Sequence, residues 1–286
     1  MKRNRAIVLL EGGAFRTLYT AGVLDVFMER GLWLDTLGVS GGALTGASYV
    51  SRQPDRTRII NLAHRHDANY VGAGALRREH SLIGFRYLFG DLCDLHPFDE
   101  ETFMQNPEQR YVAVATCCET GHPVYFDRDD LTPDGIYQAM AASSSMPVVC
   151  PPVKLGHYGY LDGGISDSLG LRWALQEGYE RIIVIRTRHR AYRKQPESKA
   201  TLAMYNSRYA AKPLLREDLA MISTRYNDMA AALEQLEAEG RIFVIAPSHP
   251  VTVTRLENDL KKLQTLYREG RQETEAAWDA LTEYLK

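Results

Sequence analysis

Two strand patterns, each followed closely by a helix pattern, constrain the fold more than any other feature of this sequence. Residues 6–10 are an unbroken apolar run that leads into a Gly-Gly pair, and residues 37–39 are a second short run. Apolar residues at helical spacing follow the first run over 18–30, and small residues follow the second. Unbroken apolar strands are typical of a sheet buried on both faces. The alternation predicts an α/β fold with a parallel sheet.

The rest of the chain extends this alternation. Residues 55–110 lack a clear period, and we expect helices and a long connection there. "RYVAVATCCE" and "HPVYFD" predict strands, "GIYQAMAASSSMP" a helix, and "YGYLDGGISDSLGLRWALQEG" a turn and then a helix. "RIIVIRT" and "RIFVIAP" predict two more buried strands, before a helical tail with apolar stripes.

We therefore predict a three-layer sandwich around a mostly parallel sheet. Its core spans residues 1–190. The C-terminal region, 191–286, adds the last sheet strand and packs helices on the core.

Charge and cysteine usage exclude several classes. The net charge of −2 over 286 residues gives no argument for a nucleic-acid partner. Four cysteines occur without C-x-x-C spacing, and two of them are adjacent, so in a strand they point to opposite faces. We expect reduced thiols at the four positions: Cys93, Cys117, Cys118 and Cys150.

The N-terminal stretch "MKRNRAIVLLEGG" predicts a buried strand rather than a signal peptide. Its apolar run is shorter than the about 7 residues that a signal peptide needs. No segment reaches the roughly 18 apolar residues of a membrane span. We expect a cytoplasmic protein, with peripheral contact at a membrane as a further option.

Ser40 stands among residues with almost no side chains, in Gly38-Val39-Ser40-Gly41-Gly42, which matches G-x-S-x-G. In a nucleophile elbow this pattern turns the chain sharply from a strand into a helix and exposes the serine hydroxyl. The predicted strand and helix supply that context, and the helix places its positive end near the serine. The alternative is a glycine-rich turn with an N-capping serine.

A second glycine turn lies between the first strand and its helix, in "LLEGGAFRTLYTAGVLD". Backbone N–H groups at such a turn can converge on an anion. In acyl transfer that anion is the oxyanion of the tetrahedral intermediate. Arg16 would add positive charge or hold the loop. A nucleotide-binding loop is the rival interpretation, but G-x-G-x-x-G and G-x-x-x-x-G-K-[ST] are both absent.

The stretch "GYLDGGISD" places Asp162 before Gly163 and Gly164. An aspartate presented from such a turn could accept the proton of Ser40 as a general base. An ordinary loop turn is the alternative for this stretch alone. The presence of the elbow and the glycine loop favours the catalytic interpretation.

Together these motifs resemble the patatin-like phospholipase family. A glycine-rich loop with an arginine, a G-x-S-x-G elbow and an Asp-Gly-Gly aspartate occur in the family's order, and "AASSSMPVVCPPV" is similar to its alanine-serine-proline stretch. The resemblance covers residues 5–190, and "RIFVIAP" more loosely. The helical tail resembles the extension of bacterial members. The resemblance implies a patatin-like fold, lipid acyl hydrolysis and a Ser–Asp dyad without histidine.

The family's residue roles carry over by position. The resemblance implies that Ser40 is the nucleophile, that Asp162 is the base, and that the loop of Gly12, Gly13 and Ala14 forms the oxyanion hole. The supporting residues would be Arg16, Gly38, Gly41, Gly42, Gly163 and Gly164.

The loop departs from the family pattern G-G-G-x-R-G, because Ala14 and Thr17 replace glycines. A positive φ at either position would cost about 1 kcal/mol or more. One lost oxyanion donor costs roughly 10²–10³ in rate. The loop therefore leaves open a weak hydrolase or one that has lost its activity.

Histidines offer further candidates. His64 and His66 form an H-x-H pair without a carboxylate at clear spacing, so we predict no metal. A Ser-His-Asp triad stays open through His157, just before the predicted base, or through His189 and His249, which follow it in the usual order. No organic cofactor is implied.

Two polar segments complete the candidates. Residues 143–145 are three serines without an elbow, so we expect helix-end and backbone hydrogen bonds. Residues 191–199, "AYRKQPESK", form a basic connection. A solvated loop is the simpler interpretation, and contact with anionic lipid head groups is the other.

The prediction is serine-dependent hydrolysis of carboxylic esters of lipids through an acyl-enzyme. Its partner is a lipid or acyl-ester substrate and not nucleic acid. The alternatives are a non-catalytic lipid- or acyl-binding protein and an esterase or thioesterase for small soluble substrates. Head group, acyl length, position of attack, a lid and oligomeric state are left open.

Overall fold

A computed structural model describes residues 6–286; the first five residues of the predicted core, with the basic start of the chain, lie outside the described part. Within the described part, eight strands form one sheet. The strands are β1 (Ala6–Leu10), β2 (Asp35–Val39), β3 (Tyr111–Cys117), β4 (Pro123–Asp127), β5 (Val153–Leu155), β6 (Tyr158–Asp162), β7 (Arg181–Ile185) and β8 (Ile242–Ile245).

Thirteen α-helices accompany the sheet within residues 6–286. They are α1 (Thr17–Glu29), α2 (Gly41–Val50), α3 (Arg56–Ala63), α4 (Ala73–Glu79), α5 (Phe85–Phe89), α6 (Asp91–Leu95), α7 (Glu100–Gln105), α8 (Pro133–Ser144), α9 (Leu171–Gln176), α10 (Lys199–Arg208), α11 (Pro213–Ala220), α12 (Ile222–Ala238) and α13 (Leu260–Tyr284).

The sheet is mostly parallel, as the sequence predicts. Its order is β5-β6-β3-β2-β1-β7-β8, and β4 pairs with the other edge of β3. The run from β3 to β8 is parallel. β4, β5 and β6 pair antiparallel. Parallel strands need crossover connections, and the helices between them supply those connections.

The two faces of the sheet bury different sets of side chains, because successive residues of a strand point to opposite faces. Val8 and Leu10 belong to the cluster that α1, α2, α8 and α13 complete. Ile7 and Leu9 belong to the cluster that α9 and α12 complete. The predicted three-layer sandwich is therefore confirmed.

The register of β3 brings two distant strand ends together. On one edge of β3, the end of β2 pairs Val39 with Val114, and the end of antiparallel β6 pairs Asp162 with Ala115. The two strands run toward each other and stop at adjacent positions of β3. The residue after Val39 is Ser40, so the fold itself places Ser40 beside Asp162.

Two elements differ from their sequence predictions. The stretch before Asp162 is strand β6 and not a turn, because it pairs with β3 and β5. The striped tail is the single 25-residue helix α13, and it begins after Leu256.

The C-terminal helix packs tightly along α1. A Cβ atom at Gly22 would lie 2.2 Å from the Tyr267 carbonyl oxygen, and one at Gly270 would lie 2.2 Å from that of Tyr19. Only glycine at both positions allows this approach. No helix within residues 6–286 is both long and apolar enough to cross a membrane. The boundary at residue 190 stays a prediction.

Candidate active site

Ser40 occupies the sharp turn that its glycine pattern predicts. It follows β2 and precedes α2, and its φ of 56° and ψ of −130° lie where residues other than glycine are rare. A Cβ atom at Gly38 would lie 2.5 Å from the Cα atom of Ala43, and one at Gly42 would lie 2.5 Å from the Leu10 carbonyl oxygen. Glycine at both positions lets the turn close as a nucleophile elbow does.

The alternative of Ser40 as a helix cap is wrong. Its side chain makes no capping hydrogen bond to α2. Its Oγ atom instead donates to the Oδ2 atom of Asp162 over 2.7 Å. Both residues are only 8% exposed, so water competes little for this hydrogen bond.

The turn after β6 holds the Asp162 carboxylate in place. Its Oδ1 atom accepts a hydrogen bond of 2.8 Å from the Gly164 N–H group. Its carbonyl oxygen accepts one of 2.9 Å from the Thr116 hydroxyl. A Cβ atom at Gly163 would lie 2.2 Å from the Val114 carbonyl oxygen. Both glycines of the Asp-Gly-Gly motif therefore serve this turn.

Burial raises the pKa of the Asp162 carboxyl above its ordinary range. The hydrogen bonds from Ser40 and Gly164 and the charges of Arg255 and Lys194 oppose that rise. A carboxylate with a raised pKa takes up a proton more readily than an exposed aspartate. That property suits a general base.

The end of α8 holds the backbone of Ser40 and of Asp162 through contacts that the sequence did not reveal. The Ser40 N–H group donates to the Ser143 hydroxyl at 2.8 Å. The Asp162 N–H group donates to the Ser145 carbonyl oxygen at 2.8 Å. The expectation that these serines bond to backbone is confirmed for Ser143 and Ser145. The Ser144 hydroxyl is buried and has no hydrogen-bond partner within residues 6–286. The only signal in the sequence was a run of serines before a proline.

The loop after β1 lies against the elbow, since a Cβ atom at Gly12 would be 3.0 Å from the Ser40 Cβ atom. Within residues 6–286, its three N–H groups donate to no other protein group and are free for an oxyanion. Its carbonyl oxygens all accept hydrogen bonds: Gly12 from the Thr187 hydroxyl at 2.9 Å, Gly13 from the Arg16 N–H group at 3.1 Å, and Ala14 from the Thr17 hydroxyl at 2.7 Å.

The two departures from the family's glycine pattern have different consequences. Ala14 has a φ of 49°, in the left-handed region. Thr17 has a φ of −68°, which suits any residue. The strain of about 1 kcal/mol therefore falls on Ala14 alone. The Thr17 hydroxyl offsets part of it by bonding the Ala14 carbonyl oxygen.

Two cavities of opposite chemistry meet at Ser40. The apolar cleft, of about 910 Å³, is lined mainly by hydrocarbon side chains, including Phe15, Leu44, Ile60, Val71, Leu88 and Phe89. The basic chamber, of about 840 Å³, contains Asp162 and four cationic side chains: Arg16, Arg188, Lys194 and Arg255. Ala14, Ser40 and Met146 line both.

The structure does not bring the candidate triad histidines to Ser40. His157 and His249 are exposed, and His189 packs edge-on against Tyr192. Neither cavity is lined by a histidine.

The two histidines of the H-x-H pair contact different partners. The His64 Nε2 atom lies 2.9 Å from that of His96, and His66 contacts the Asn258 carbonyl oxygen. In the described part of the chain, no three metal-binding side chains of His, Cys, Asp or Glu gather together.

The four cysteines are free thiols, as predicted. Burial raises the pKa of Cys93, Cys118 and Cys150. A raised pKa leaves little thiolate at neutral pH, so these groups are poor nucleophiles.

Comparisons with known proteins agree with these motifs. The model of the family described as patatin-like phospholipase matches residues 8–175. A second family, described as a domain of unknown function (DUF6363), matches residues 212–286. The uncharacterized protein YjjU of Escherichia coli K12 is 27% identical over 281 residues, which cover 94% of this chain and 75% of YjjU.

Among solved structures, VipD from Legionella pneumophila aligns with a TM-score of 0.47 and 15% identity. The alignment covers 96% of this chain and 66% of the VipD chain, so this protein spans less than two thirds of VipD. The family match over 8–175 covers more than half of the 286 residues, so the chain belongs to the patatin-like phospholipase family.

Proposed function

We propose that this protein is a serine-dependent lipid acyl hydrolase with a Ser40–Asp162 dyad and an acyl-enzyme intermediate. One observation carries the proposal: the 2.7 Å hydrogen bond from the Ser40 hydroxyl to a buried carboxylate, made from a strained elbow. Family membership supports hydrolysis of lipids. No metal or organic cofactor enters the proposed mechanism.

In the acylation step, the Ser40 Oγ atom attacks the ester carbonyl carbon and its proton passes to Asp162. The negative charge that develops on the carbonyl oxygen is stabilised by the N–H groups of Gly12, Gly13 and Ala14. The C–O bond to the alcohol then breaks. The alcohol leaves with the proton from Asp162, and the acyl group remains on Ser40.

In the deacylation step, a water molecule attacks the acyl carbon and gives a proton to Asp162. The same loop stabilises the second oxyanion. Collapse of this intermediate releases the carboxylic acid, and the proton returns from Asp162 to Ser40. The raised pKa of Asp162 suits it to both transfers, because a stronger base activates serine and water more effectively.

The apolar cleft supports a lipid as the acyl donor. The cleft begins at Ser40, and its walls are mainly hydrocarbon side chains, which suit the acyl chain of a lipid. Hydrocarbon buried there gains about 0.8 kcal/mol per methylene group. A long acyl chain should therefore be preferred over a short one, which argues against an esterase or thioesterase for small soluble substrates.

A second candidate function is lipid or acyl binding without catalysis. The observation that favours it is the positive φ of Ala14, where the family has glycine. If that strain tilts the loop, an oxyanion donor is lost and turnover falls by roughly 10²–10³. The elbow and the apolar cleft would then bind an acyl chain without cleaving it.

The test is hydrolysis of p-nitrophenyl esters with several acyl lengths by the wild type, Ser40→Ala and Asp162→Asn. The proposal expects both variants to lose turnover, while thermal melting shows that they fold. It also expects faster hydrolysis of long acyl chains by the wild type. Wild-type protein that binds fatty acid but hydrolyses no ester would favour the binding function.

A further inference from the structure

The basic chamber joins cations from three separate parts of the chain at the carboxyl ends of the parallel strands. Arg16 directly precedes α1, Arg188 and Lys194 follow β7, and Arg255 lies between β8 and α13. Ligands in open α/β sheets bind beyond these strand ends. The fold therefore collects the four charges at a place where it forms ligand sites.

Arg16 is the most constrained of the four. It is only 6% exposed, and its Nε atom is fully buried without a hydrogen-bond partner. Within residues 6–286, its guanidinium forms no ion pair with any carboxylate. A buried charge without a partner is strongly destabilising, so proteins normally pair such charges. An anion bound in the chamber would supply the pairing.

Lys194 is also held toward the chamber. Its N–H group donates to Asn227 at 2.8 Å, and its carbonyl oxygen accepts from the same side chain at 3.0 Å. Its Nζ atom lies 4.4 Å from the ring centre of Tyr226. Within residues 6–286, this ammonium has no ion pair. The segment 191–199 is thus not a simple solvated loop at this position.

Two of the three carboxylates in the chamber already accept hydrogen bonds. Glu11 accepts hydrogen bonds from the Thr187 N–H group and the Tyr226 hydroxyl. Asp162 accepts a hydrogen bond from Ser40. Glu197 is the third carboxylate that lines the chamber. Four cations against three carboxylates leave a positive balance.

The cations are close enough to affect one another. Burial, with the charges of Arg188 and Arg255, lowers the pKa of Arg16 to about 10. Burial, with the charge of Arg255, lowers the pKa of Lys194 to about 8. Mutual repulsion of this kind is relieved when an anion binds between the charges.

We infer that the basic chamber binds a phosphate group on the alcohol half of the ester, so that the enzyme prefers anionic lipids to zwitterionic or neutral ones. The inference rests on the proposed function. Ser40 lies where the two cavities join. An ester carbonyl at Ser40 then has its acyl chain in the apolar cleft and its alcohol half in the basic chamber.

Three substrates with one acyl chain test this: 1-acylglycerol 3-phosphate, 1-acylglycerophosphocholine and 1-acylglycerol, each in the same neutral detergent micelles. Released fatty acid is measured for the wild type, Lys194→Gln and Arg255→Gln. The matched control is Lys199→Gln, an exposed lysine that does not line the chamber.

We expect the wild type to favour the phosphate substrate by at least about tenfold in kcat/KM. Each chamber variant should remove most of that preference. The control should keep the preference, with rates on all three substrates within about threefold of wild type. Equal rates on the three substrates would overturn the inference but leave the hydrolase intact.

A binding arm separates failure of the inference from failure of the proposed function. Glycerol 3-phosphate is titrated into Ser40→Ala by calorimetry, with and without Lys194→Gln. Binding that Lys194→Gln weakens by about tenfold supports the chamber even if no ester is hydrolysed. Absence of binding overturns the inference. Binding of glycerol 3-phosphate without preference for the phosphate lipid would also overturn it, because the chamber would then serve a free phosphate ester.

Discussion

The apolar cleft and the basic chamber share Ser40 but differ in origin. The cleft is walled largely by residues 56–98, between β2 and β3, and by the helices α2 and α8. The chamber depends on segments after β7 and β8, far along the chain. One side offers hydrocarbon and the other offers positive charge. This difference indicates that the site can orient a lipid ester. The apolar cleft suits the acyl chain, and the basic chamber suits an alcohol half that carries negative charge.

The largest expected effect comes from removing the base that serves Ser40, the residue that both cavities share. Asp162→Asn should lower kcat/KM by about 10³ for every acyl chain and head group, because general-base catalysis contributes roughly 10²–10⁴. Kinetics on the lipid series, with thermal melting as a check of folding, measures this. Asp167→Asn, which loses only a bond from the Tyr125 hydroxyl and turn bonds, is the control. Activity of Asp162→Asn within tenfold of wild type would remove Asp162 from the mechanism.

The second-largest effect should depend on the length of the acyl chain, which we expect to bind in the apolar cleft. Leu44→Trp fills the cleft one turn beyond Ser40. We expect hydrolysis of a long acyl chain to fall by about 10–10², and that of a butyryl ester by less than about threefold. Leu214→Trp, at an exposed leucine of α11, is the matched control. Equal losses for both chain lengths would mean that the acyl chain binds elsewhere.

A smaller effect concerns the anchor of the elbow. Ser143→Ala leaves the buried Ser40 N–H group without its acceptor, so kcat should fall by about tenfold while KM stays unchanged. Ser145→Ala removes a buried hydroxyl that bonds only to Ala141 in its own helix. Its kcat should remain near that of wild type. If the two variants lose kcat equally, Ser143 contributes stability rather than positioning.

The smallest expected effect is a pH dependence of the head-group preference, which originates in the basic chamber. Lys194, which faces Arg255, Glu11, Asp162, Arg16 and the Tyr226 ring, has its pKa lowered to about 8. It carries its charge below that pH and loses it above. The preference for the phosphate lipid over 1-acylglycerol should thus decline severalfold between about pH 7 and 9.

In Lys194→Gln, the preference for the phosphate lipid over 1-acylglycerol should not change with pH, because glutamine does not titrate. A preference that declines equally in the variant would assign the effect to another group. Hydrolysis of 1-acylglycerol itself should rise with pH as Asp162 loses its proton, since only the carboxylate form can accept one.

The sequence predicted the elbow, the glycine loop and the aspartate far better than it predicted the basic chamber. G-x-S-x-G, the glycine loop and Asp-Gly-Gly are local patterns whose geometry depends on neighbouring residues. The β3 register that joins Ser40 to Asp162, and the bond from Ser143 to Ser40, depend on residues more than a hundred positions apart. No periodicity encodes such contacts.

Strand β6 and the basic chamber were harder to predict from the sequence, because both also depend on distant residues. Gly159 and the Asp-Gly-Gly that ends this stretch suggest a turn, although its two tyrosines favour a strand. Pairing with β3 and β5 makes residues 158–162 a strand. Lys194 belongs to a charged stretch that alone indicates solvent. Its backbone hydrogen bonds to Asn227 fix its position, and its ammonium lies over the Tyr226 ring.

The most direct test of the account is labelling with a long-chain alkyl fluorophosphonate, followed by peptide mass spectrometry. The probe places its chain in the apolar cleft and reacts only with an activated serine. The account predicts one phosphonyl adduct, on Ser40, formed by the wild type, much more slowly by Asp162→Asn and not by Ser40→Ala. Folded wild-type protein that remains unlabelled, or that carries the adduct on another serine, would contradict it.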